Sequence, residues 1–94
     1  MFKELDPLLH SQLRLAVISI LISVESAEFI YLKEKTDSSA GNLSVQLEKL
    51  SEAGYIEIIK SFKGKKPLTT CKITRAGIKA FEEYVNTLKQ YIGK

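Results

Sequence analysis

The sequence contains few of the residues from which disulfide frameworks and metal sites are built. Its 94 residues include one cysteine, one histidine and no tryptophan. A disulfide framework and a zinc finger are therefore excluded, and a reducing, cytoplasmic setting is favoured. His10 and Cys71 lie far apart in the sequence, and no glycine-rich phosphate loop follows a strand pattern. We therefore predict no catalytic residue, no metal ligand and no cofactor, and we do not expect an enzyme.

Long hydrophobic runs are also absent. The longest apolar stretch, Leu13 to Val24, is too short to span a membrane and has polar residues at its start. The N-terminal segment MFKELDPLL carries acidic residues where a signal peptide would be basic. The hydrophobic share of 45% and the charged share of 27% are those of an ordinary globular protein. These features predict a single domain over 1–94, with no membrane partner and no secretion signal.

The net charge of +3 hides an uneven distribution of charge along the chain. Residues 1–59 carry a net charge of −4, whereas residues 60–94 carry +7. The basic residues are densest at Lys60, Lys63, Lys65 and Lys66. Such asymmetry is typical of a protein that binds a polyanion, and a solvated lysine-rich loop is the alternative interpretation.

Periodicity predicts a mainly α-helical protein with one small β-hairpin, which is an α+β fold class. Asp6-Pro7 is a helix-start pair, Ser26 can cap a second helix, and Thr74 can cap the last one. Alternating β-branched and aromatic residues then flank a five-residue KGKKP turn, which predicts a hairpin. The predicted elements are helix 1 at 7–24, helix 2 at 27–35, helix 3 at 39–53, the hairpin at 55–73 and a C-terminal helix at 75–92.

Helix 3 has the clearest boundaries and an unusual outer face. Ser38 or Ser39 can cap its start, and Gly54 can take the left-handed conformation that ends a helix. Its inward stripe consists of Leu43, Leu47 and Leu50. Its opposite face holds Asn42, Val45, Gln46 and Lys49. A face with a single charge favours contact with another molecule, and the preceding turn predicts a helix-turn-helix unit.

Two helices carry more apolar surface than one small core can cover. Helix 1 is apolar nearly all round, which predicts a second subunit against its far side. The C-terminal helix carries an apolar stripe and follows a core that is already closed, which predicts pairing with a second chain. Packing of this helix onto helix 1 of the same subunit is the alternative. The residues predicted to form the dimer interface are Leu15, Ile18, Ile22, Phe81, Tyr84, Val85, Leu88 and Tyr91.

Five segments follow one another in a familiar order. They are LHSQLRL at 9–15, GNLSVQLEKL at 41–50, EAGYIE at 52–57, KSFKGKKP at 60–67 and TRAG at 74–77. Together they span nearly the whole chain, and they resemble the winged helix-turn-helix regulators of the MarR kind. The most similar group is a set of small stand-alone winged-helix proteins of archaea and bacteria.

The resemblance implies a homodimeric transcriptional regulator that binds double-stranded DNA at an inverted-repeat operator. Helix 3 would enter the major groove, and the hairpin would lie as a wing on the backbone or in the minor groove. The amides of Asn42 and Gln46 would pair with adenine edges, and Val45 would contact a thymine methyl. The sequence identifies no effector. The DNA-binding residues implied by position are Ser39, Gly41, Asn42, Ser44, Val45, Gln46, Lys49, Lys63, Lys65 and Lys66.

Two further alternatives concern the partner and the wing. A winged helix can bind protein without specific DNA binding, and the fold itself does not decide between the two partners. The polar helix face and the basic hairpin, which this fold presents side by side, favour DNA. Phe62, next to the basic tip, is expected to pack under the wing rather than to stack on a base.

Overall fold

The computed structural model describes residues 2–93 as four helices and three strands, which confirms a mainly α-helical protein with a hairpin. The elements are α1 (Gln12–Val24), β1 (Ser26–Glu28), α2 (Phe29–Thr36), α3 (Ala40–Glu52), β2 (Ile56–Lys63), β3 (Lys66–Ile73) and α4 (Arg75–Tyr91). The strands form one antiparallel sheet in the order β1-β3-β2. A helix-turn-helix made of α2 and α3 is thus followed by a hairpin, the wing, and by a closing helix.

Helix α1 lies at the centre of the fold, where α2, α3, α4 and the sheet all pack against it. Val17, Ile18 and Leu21 of α1 have no exposed surface. The predicted inward stripe of α3 joins this core through Leu43, Leu47 and Leu50. The sheet contributes Ile56, Cys71 and Ile73. A single subunit therefore covers several sides of α1, whereas the apolar pattern predicted a second subunit against its far side.

Helix α1 begins at Gln12, five residues later than predicted. Asp6 does act as a cap, but only of an isolated turn, in which its Oδ1 accepts a hydrogen bond from the Leu8 N–H at 2.9 Å. Ser11 then adopts an extended conformation and caps α1 itself. The break between the turn and the helix brings Leu9 into the core, where it has no exposed surface. Tertiary packing of this leucine thus overrides a local start signal.

A short strand, β1, occupies residues that were predicted to begin helix 2. Ser26 does not cap that helix; it pairs with Lys72 of β3, and α2 begins only at Phe29. Glu25 has a φ of 70°, which ends α1 and redirects the chain, and its carbonyl oxygen accepts from the Ile73 N–H at 2.9 Å. Three residues are too few to show an alternating pattern. The strand therefore depends on its partner β3 and not on its own sequence.

Local signals fix the helix-turn-helix as predicted. The turn contains no glycine, and Asp37 supplies the left-handed residue at φ 51° and ψ 43°, a conformation that aspartate tolerates better than most residues. Ser39 caps α3 by accepting from the Asn42 N–H at 3.1 Å. Gly54, at φ 80°, lies just beyond the end of α3. Helix α3 therefore matches the prediction within one residue at each end.

The turn at the tip of the wing is shorter than predicted. Gly64 and Lys65 alone connect β2 to β3, because Lys63 pairs with Lys66. Gly64 has a φ of 67°, as in a type II′ hairpin turn with glycine at its first central position. Pro67 consequently belongs to β3. It follows a hydrogen-bonded pair, so its missing N–H faces away from β2 and leaves no ladder bond unmade.

Helix α4 approaches the start of the wing so closely that one position must be glycine. Thr74 caps α4 by accepting from the Gly77 N–H at 3.1 Å, and the Thr74 N–H donates to the Tyr55 carbonyl oxygen at 3.1 Å. A β-carbon at position 77 would overlap that same carbonyl oxygen. Because the oxygen is a backbone atom, it cannot rotate away. The contact fixes the direction in which α4 leaves the sheet.

We expect Gly77→Ala to lower the free energy of unfolding by about 1–3 kcal/mol, because the overpacked side chain displaces α4 from Tyr55. Gly41→Ala is the matched control, since Gly41 is also helical but has nothing within 4 Å of its β-carbon position. Alanine there should stabilise α3 by about 0.5–1 kcal/mol. Urea denaturation followed by circular dichroism measures both effects. Equal effects of the two substitutions would show that position 77 imposes no packing constraint.

Cys71 is buried in the core, and its thiol should make the free energy of unfolding fall above pH 9. Desolvation raises its pKa from 9.0 to about 11 in the folded protein. The protonated thiol therefore favours folding, fully below pH 9, and this contribution is lost as the pH rises through 11. We expect the free energy of unfolding to fall more steeply over that range in the wild type than in Cys71→Ala. Parallel pH profiles in urea denaturation would contradict this linkage.

Candidate nucleic-acid interface

The residues predicted to contact DNA lie on two neighbouring elements, α3 and the wing. Gln46 is half-buried, and the other nine residues of the predicted set are exposed. These nine are Ser39, Gly41, Asn42, Ser44, Val45, Lys49, Lys63, Lys65 and Lys66. They are accessible to a second molecule as the chain stands, and Val45 in particular is 52% exposed.

The first turn of α3 has a capped N-terminus and an accessible backbone at Gly41. Ser39 Oγ accepts from the Asn42 N–H, so this hydroxyl serves the helix before it serves any ligand. Gly41 has open space where a β-carbon would lie, which lets another molecule approach the backbone closely. The helix N-terminus also carries partial positive charge that favours a phosphate. This turn can therefore meet a nucleic acid without a charged side chain of its own.

Gln46 is tied into the protein by hydrogen bonds and is not the free reading side chain that the sequence predicted. The Arg14 guanidinium on α1 donates from Nη1 to Gln46 Oε1. Gln46 Nε2 donates to Asn42 Oδ1 at 3.1 Å. Both ends of the Gln46 amide are thus engaged within the subunit. Sequence reasoning missed Arg14 because it lies 32 residues from Gln46 and no local pattern links the two.

The wing is the main source of positive charge. Residues 58–81 contain seven Lys or Arg and no Asp or Glu. The lysines of the wing are all exposed, at Lys60, Lys63, Lys65, Lys66 and Lys72. On α3, by contrast, Glu48 and Glu52 are exposed beside Lys49. Attraction to a polyanion therefore depends on the wing more than on α3.

Phe62 stands out from the wing instead of packing beneath it, so the expectation from the sequence is wrong. Its side chain is 72% exposed, more than any other large apolar side chain within residues 2–93. It lies opposite Pro67, on the sheet face that begins in the core at Ile56. Every residue of β2 after Ile58 is exposed, so the hairpin extends beyond the core. The alternation that buries Ile56 therefore continues past the edge of the core.

A cleft lies between α3 and the wing. It has a volume of about 290 Å³. The residues that line it are Phe29, Ser44, Leu47, Glu48, Ile58, Lys60 and Thr69. Ser44 was predicted to contact DNA, whereas Lys60 was not among the predicted contacts. Because the two line the same cleft, α3 and the wing form one continuous surface.

Two residues predicted to face a second subunit are instead buried within their own. Ile18 has no exposed surface, and Tyr84 is only 6% exposed. The Tyr84 hydroxyl forms a hydrogen bond with His10 Nδ1 at 3.0 Å, which joins α4 to the segment before α1. The prediction for Ile18 is wrong because the other elements of the same subunit pack around α1. The prediction for Tyr84 is wrong because the N-terminal segment covers this part of α4. The two segments are 74 residues apart in the sequence, and periodicity does not reveal their contact.

Helix α4 also carries an outer apolar stripe that its own subunit leaves partly open. The stripe consists of Ile78, Phe81, Val85, Leu88 and Ile92, which are half-buried or exposed. Tyr91 is 46% exposed, and its ring stacks on Phe2 with the ring centroids 4.8 Å apart. On α1, Leu15 and Ile22 are half-buried. The other six predicted interface residues thus retain some accessible surface.

The described part of the chain offers little for other chemistry. Within residues 2–93, no group of three His, Cys, Asp or Glu side chains could hold a metal ion. No helix in this same range is long and apolar enough to cross a membrane. His10 and Cys71 are both engaged in packing, one against Tyr84 and the other in the core.

Known proteins with similar sequences and folds share this architecture. Residues 13–92 match the family model described as winged helix DNA-binding domain. An uncharacterised protein of Methanocaldococcus jannaschii is 38% identical over 81 residues, which cover 86% of this chain and 88% of the relative. A transcriptional regulator homologue from Pyrococcus horikoshii OT3 superposes with a TM-score of 0.85 at 24% identity, over 92% of this chain and 85% of that one. A MarR mutant from E. coli, complexed with operator DNA, gives a TM-score of 0.73 at 19% identity, over 89% of this chain and 58% of that one.

Proposed function

Because the chain belongs to the winged helix DNA-binding domain family, we propose that it is a transcriptional regulator that binds specific sequences in double-stranded DNA. Its family and its MarR-like fold are those of regulators and not of enzymes. The MarR structure from E. coli holds operator DNA, and we propose the same use of the fold here. The supporting geometry lies in α3 and the wing.

The observation that carries the proposal is the continuity between α3 and the wing. Ser44 and Lys60 line one cleft between the two elements. A helix fits the major groove of B-DNA, and a hairpin beside it then meets the adjacent backbone or minor groove. The polar face of α3 would therefore enter the major groove while the wing lies against phosphates.

Affinity and sequence discrimination should come from different elements. Lys63, Lys65 and Lys66 are exposed point charges that neutralise phosphates on every sequence alike. Helix α3 adds little attraction because Glu48 and Glu52 are exposed on it. Its exposed polar side chains instead contact base edges, and Val45 meets a thymine methyl.

The regulator acts as a homodimer in this proposal. The outer stripe of α4, with Val85 at its middle and Ile92 at 61% exposed, is an apolar surface that a second copy would cover. A two-fold dimer places two copies of α3 on one side of the duplex, so the operator should be an inverted repeat with half-sites about 10 bp apart or a multiple of that. Its single cysteine is free and buried, which suits the reducing cytoplasm.

Replacing Lys63, Lys65 and Lys66 by Ala should weaken binding to every duplex and reduce the slope of log K against log salt by about three, since each lysine neutralises about one phosphate. Fluorescence anisotropy with labelled duplexes at several salt concentrations measures both quantities. The matched control replaces three exposed lysines outside the wing, Lys3, Lys79 and Lys89. This control removes the same charge and should leave the slope nearly unchanged.

Two results of that experiment would count against the proposal. If both triple variants lower the slope equally, the net charge of the protein determines its affinity for DNA, and the position of the lysines on the wing does not. If the wild type binds no duplex even at low salt, phosphate neutralisation is refuted. The alternative, a winged helix that binds protein without specific DNA binding, would then take its place.

Val85→Glu should convert the proposed dimer to a monomer, because it places a charge in the middle of the apolar stripe on α4. Light scattering after gel filtration should give twice the chain mass of 10.6 kDa for the wild type and the single mass for the variant. Ile30→Glu is the control, since Ile30 is 61% exposed on α2 and should not alter the mass. A wild type that is monomeric at micromolar concentration would refute the dimer.

A further inference from the structure

Three hydrogen bonds in series link the core helix α1 to the outer face of α3. Arg14 Nε donates to the Leu8 carbonyl oxygen at 2.6 Å, which holds the guanidinium in place. Arg14 Nη1 donates to Gln46 Oε1. Gln46 Nε2 then donates to Asn42 Oδ1 at 3.1 Å. Arg14 and Gln46 are half-buried whereas Asn42 is exposed, so the series runs from the interior to the surface.

The chemistry of the guanidinium decides the direction of every bond in this series. Arginine has donors and no acceptor, so the Gln46 amide must turn its oxygen towards Arg14. Gln46 Nε2 then faces Asn42, which must present its own oxygen, Oδ1, in return. The two N–H groups of Asn42 Nδ2 have no protein partner within residues 2–93. The series thereby sets the orientation of the Asn42 amide, which offers a ligand both N–H groups of Nδ2 and only one remaining lone pair of Oδ1.

We propose that Arg14 is a positioning residue that makes Asn42 select guanine over adenine in the major groove. The inference rests on the proposed function. Guanine presents two acceptors there, O6 and N7, which match the two N–H groups of Asn42 Nδ2. Full pairing with adenine needs an acceptor as well as a donor, and Asn42 Oδ1, which already accepts from Gln46 Nε2, would have to accept a second hydrogen bond through its other lone pair. The adenine pairing expected from the residue type alone is therefore disfavoured.

The position of Asn42 in α3 fits this role. It lies in the first turn of the helix, three residues after the Ser39 cap, and recognition helices contact base edges mainly with their N-terminal residues. Its neighbour Gly41 carries no side chain, and the space beside it is open. A base edge can therefore come close to Asn42 without a steric barrier.

The test selects bound duplexes from a random pool with the wild type and two variants. Arg14→Met removes the donor that orients Gln46, and we expect the preference for guanine over adenine at one position of each half-site to fall about fivefold or more. Gln46→Glu keeps an acceptor for Arg14 but turns a second acceptor towards Asn42. Asn42 must then donate inward and offer Oδ1 outward. The preference should move to a base that donates, cytosine through N4 or adenine through N6.

The salt dependence separates positioning from direct contact. If Arg14 binds a phosphate itself, Arg14→Met will weaken all duplexes alike and lower the salt slope by about one. That result, or an unchanged base preference in both variants, would overturn the proposal. Gln46→Glu retains the bond between Arg14 and Leu8, so it remains informative if Arg14→Met folds poorly.

A measurement on the free protein distinguishes failure of this inference from failure of the proposed function. In nitrogen–proton spectra, the side-chain amide signals of Asn42 and Gln46 should both shift in Arg14→Met. They should stay in place in Lys79→Met, which changes an exposed cation on α4. Unshifted signals in Arg14→Met would overturn the bond series. A wild type that binds no duplex refutes the proposed function, whereas binding with the same base preference in every variant refutes only this inference.

Discussion

The burial of α1 is the constraint on which the rest of this structure depends. A chain of 94 residues can build one modest core, and Val17, Ile18 and Leu21 occupy its centre with no exposed surface. The other helices and the sheet pack on α1, so each must turn an apolar stripe inward. The outward direction of the polar face of α3 follows from that requirement.

The uneven distribution of charge along the chain places positive charge on the wing and little net charge on the outer side of α3. Residues 60–94 hold the positive charge, and the hairpin carries its densest part to the tip of the wing. Helix α3 keeps exposed Glu48 and Glu52, so its outer face has little attraction for a polyanion. In the proposed function, such an interface would hold DNA through the wing and discriminate between sequences through α3. Phe62, 72% exposed beside these lysines, adds an apolar side chain to the wing.

Two junctions set the geometry of the surfaces relative to the core. The Tyr55 carbonyl oxygen accepts from the Thr74 N–H, and the overlap that any side chain at Gly77 would cause keeps α4 close to the wing. The Tyr55 hydroxyl donates to Asp6 Oδ2 at 2.6 Å, and this bond raises the pKa of Tyr55 to about 12. At the other junction Arg14 connects α1 to the amides of α3. The first junction thus holds α4 against the wing, and the second holds the outer face of α3 against α1.

Elements whose signals are local could be predicted from the sequence. Ser39, Gly54 and Thr74 act on neighbouring backbone groups, so the limits of α3 and the start of α4 could be predicted, and so could the exposure of the lysines on the wing. Four features depend on tertiary contacts and could not be predicted in this way. They are the late start of α1, the strand β1, the burial of Ile18 and Tyr84, and the hydrogen bond from Arg14 to Gln46. Each of these depends on a partner far away in the sequence, because burial and hydrogen bonding are set by where the chain returns and not by local periodicity.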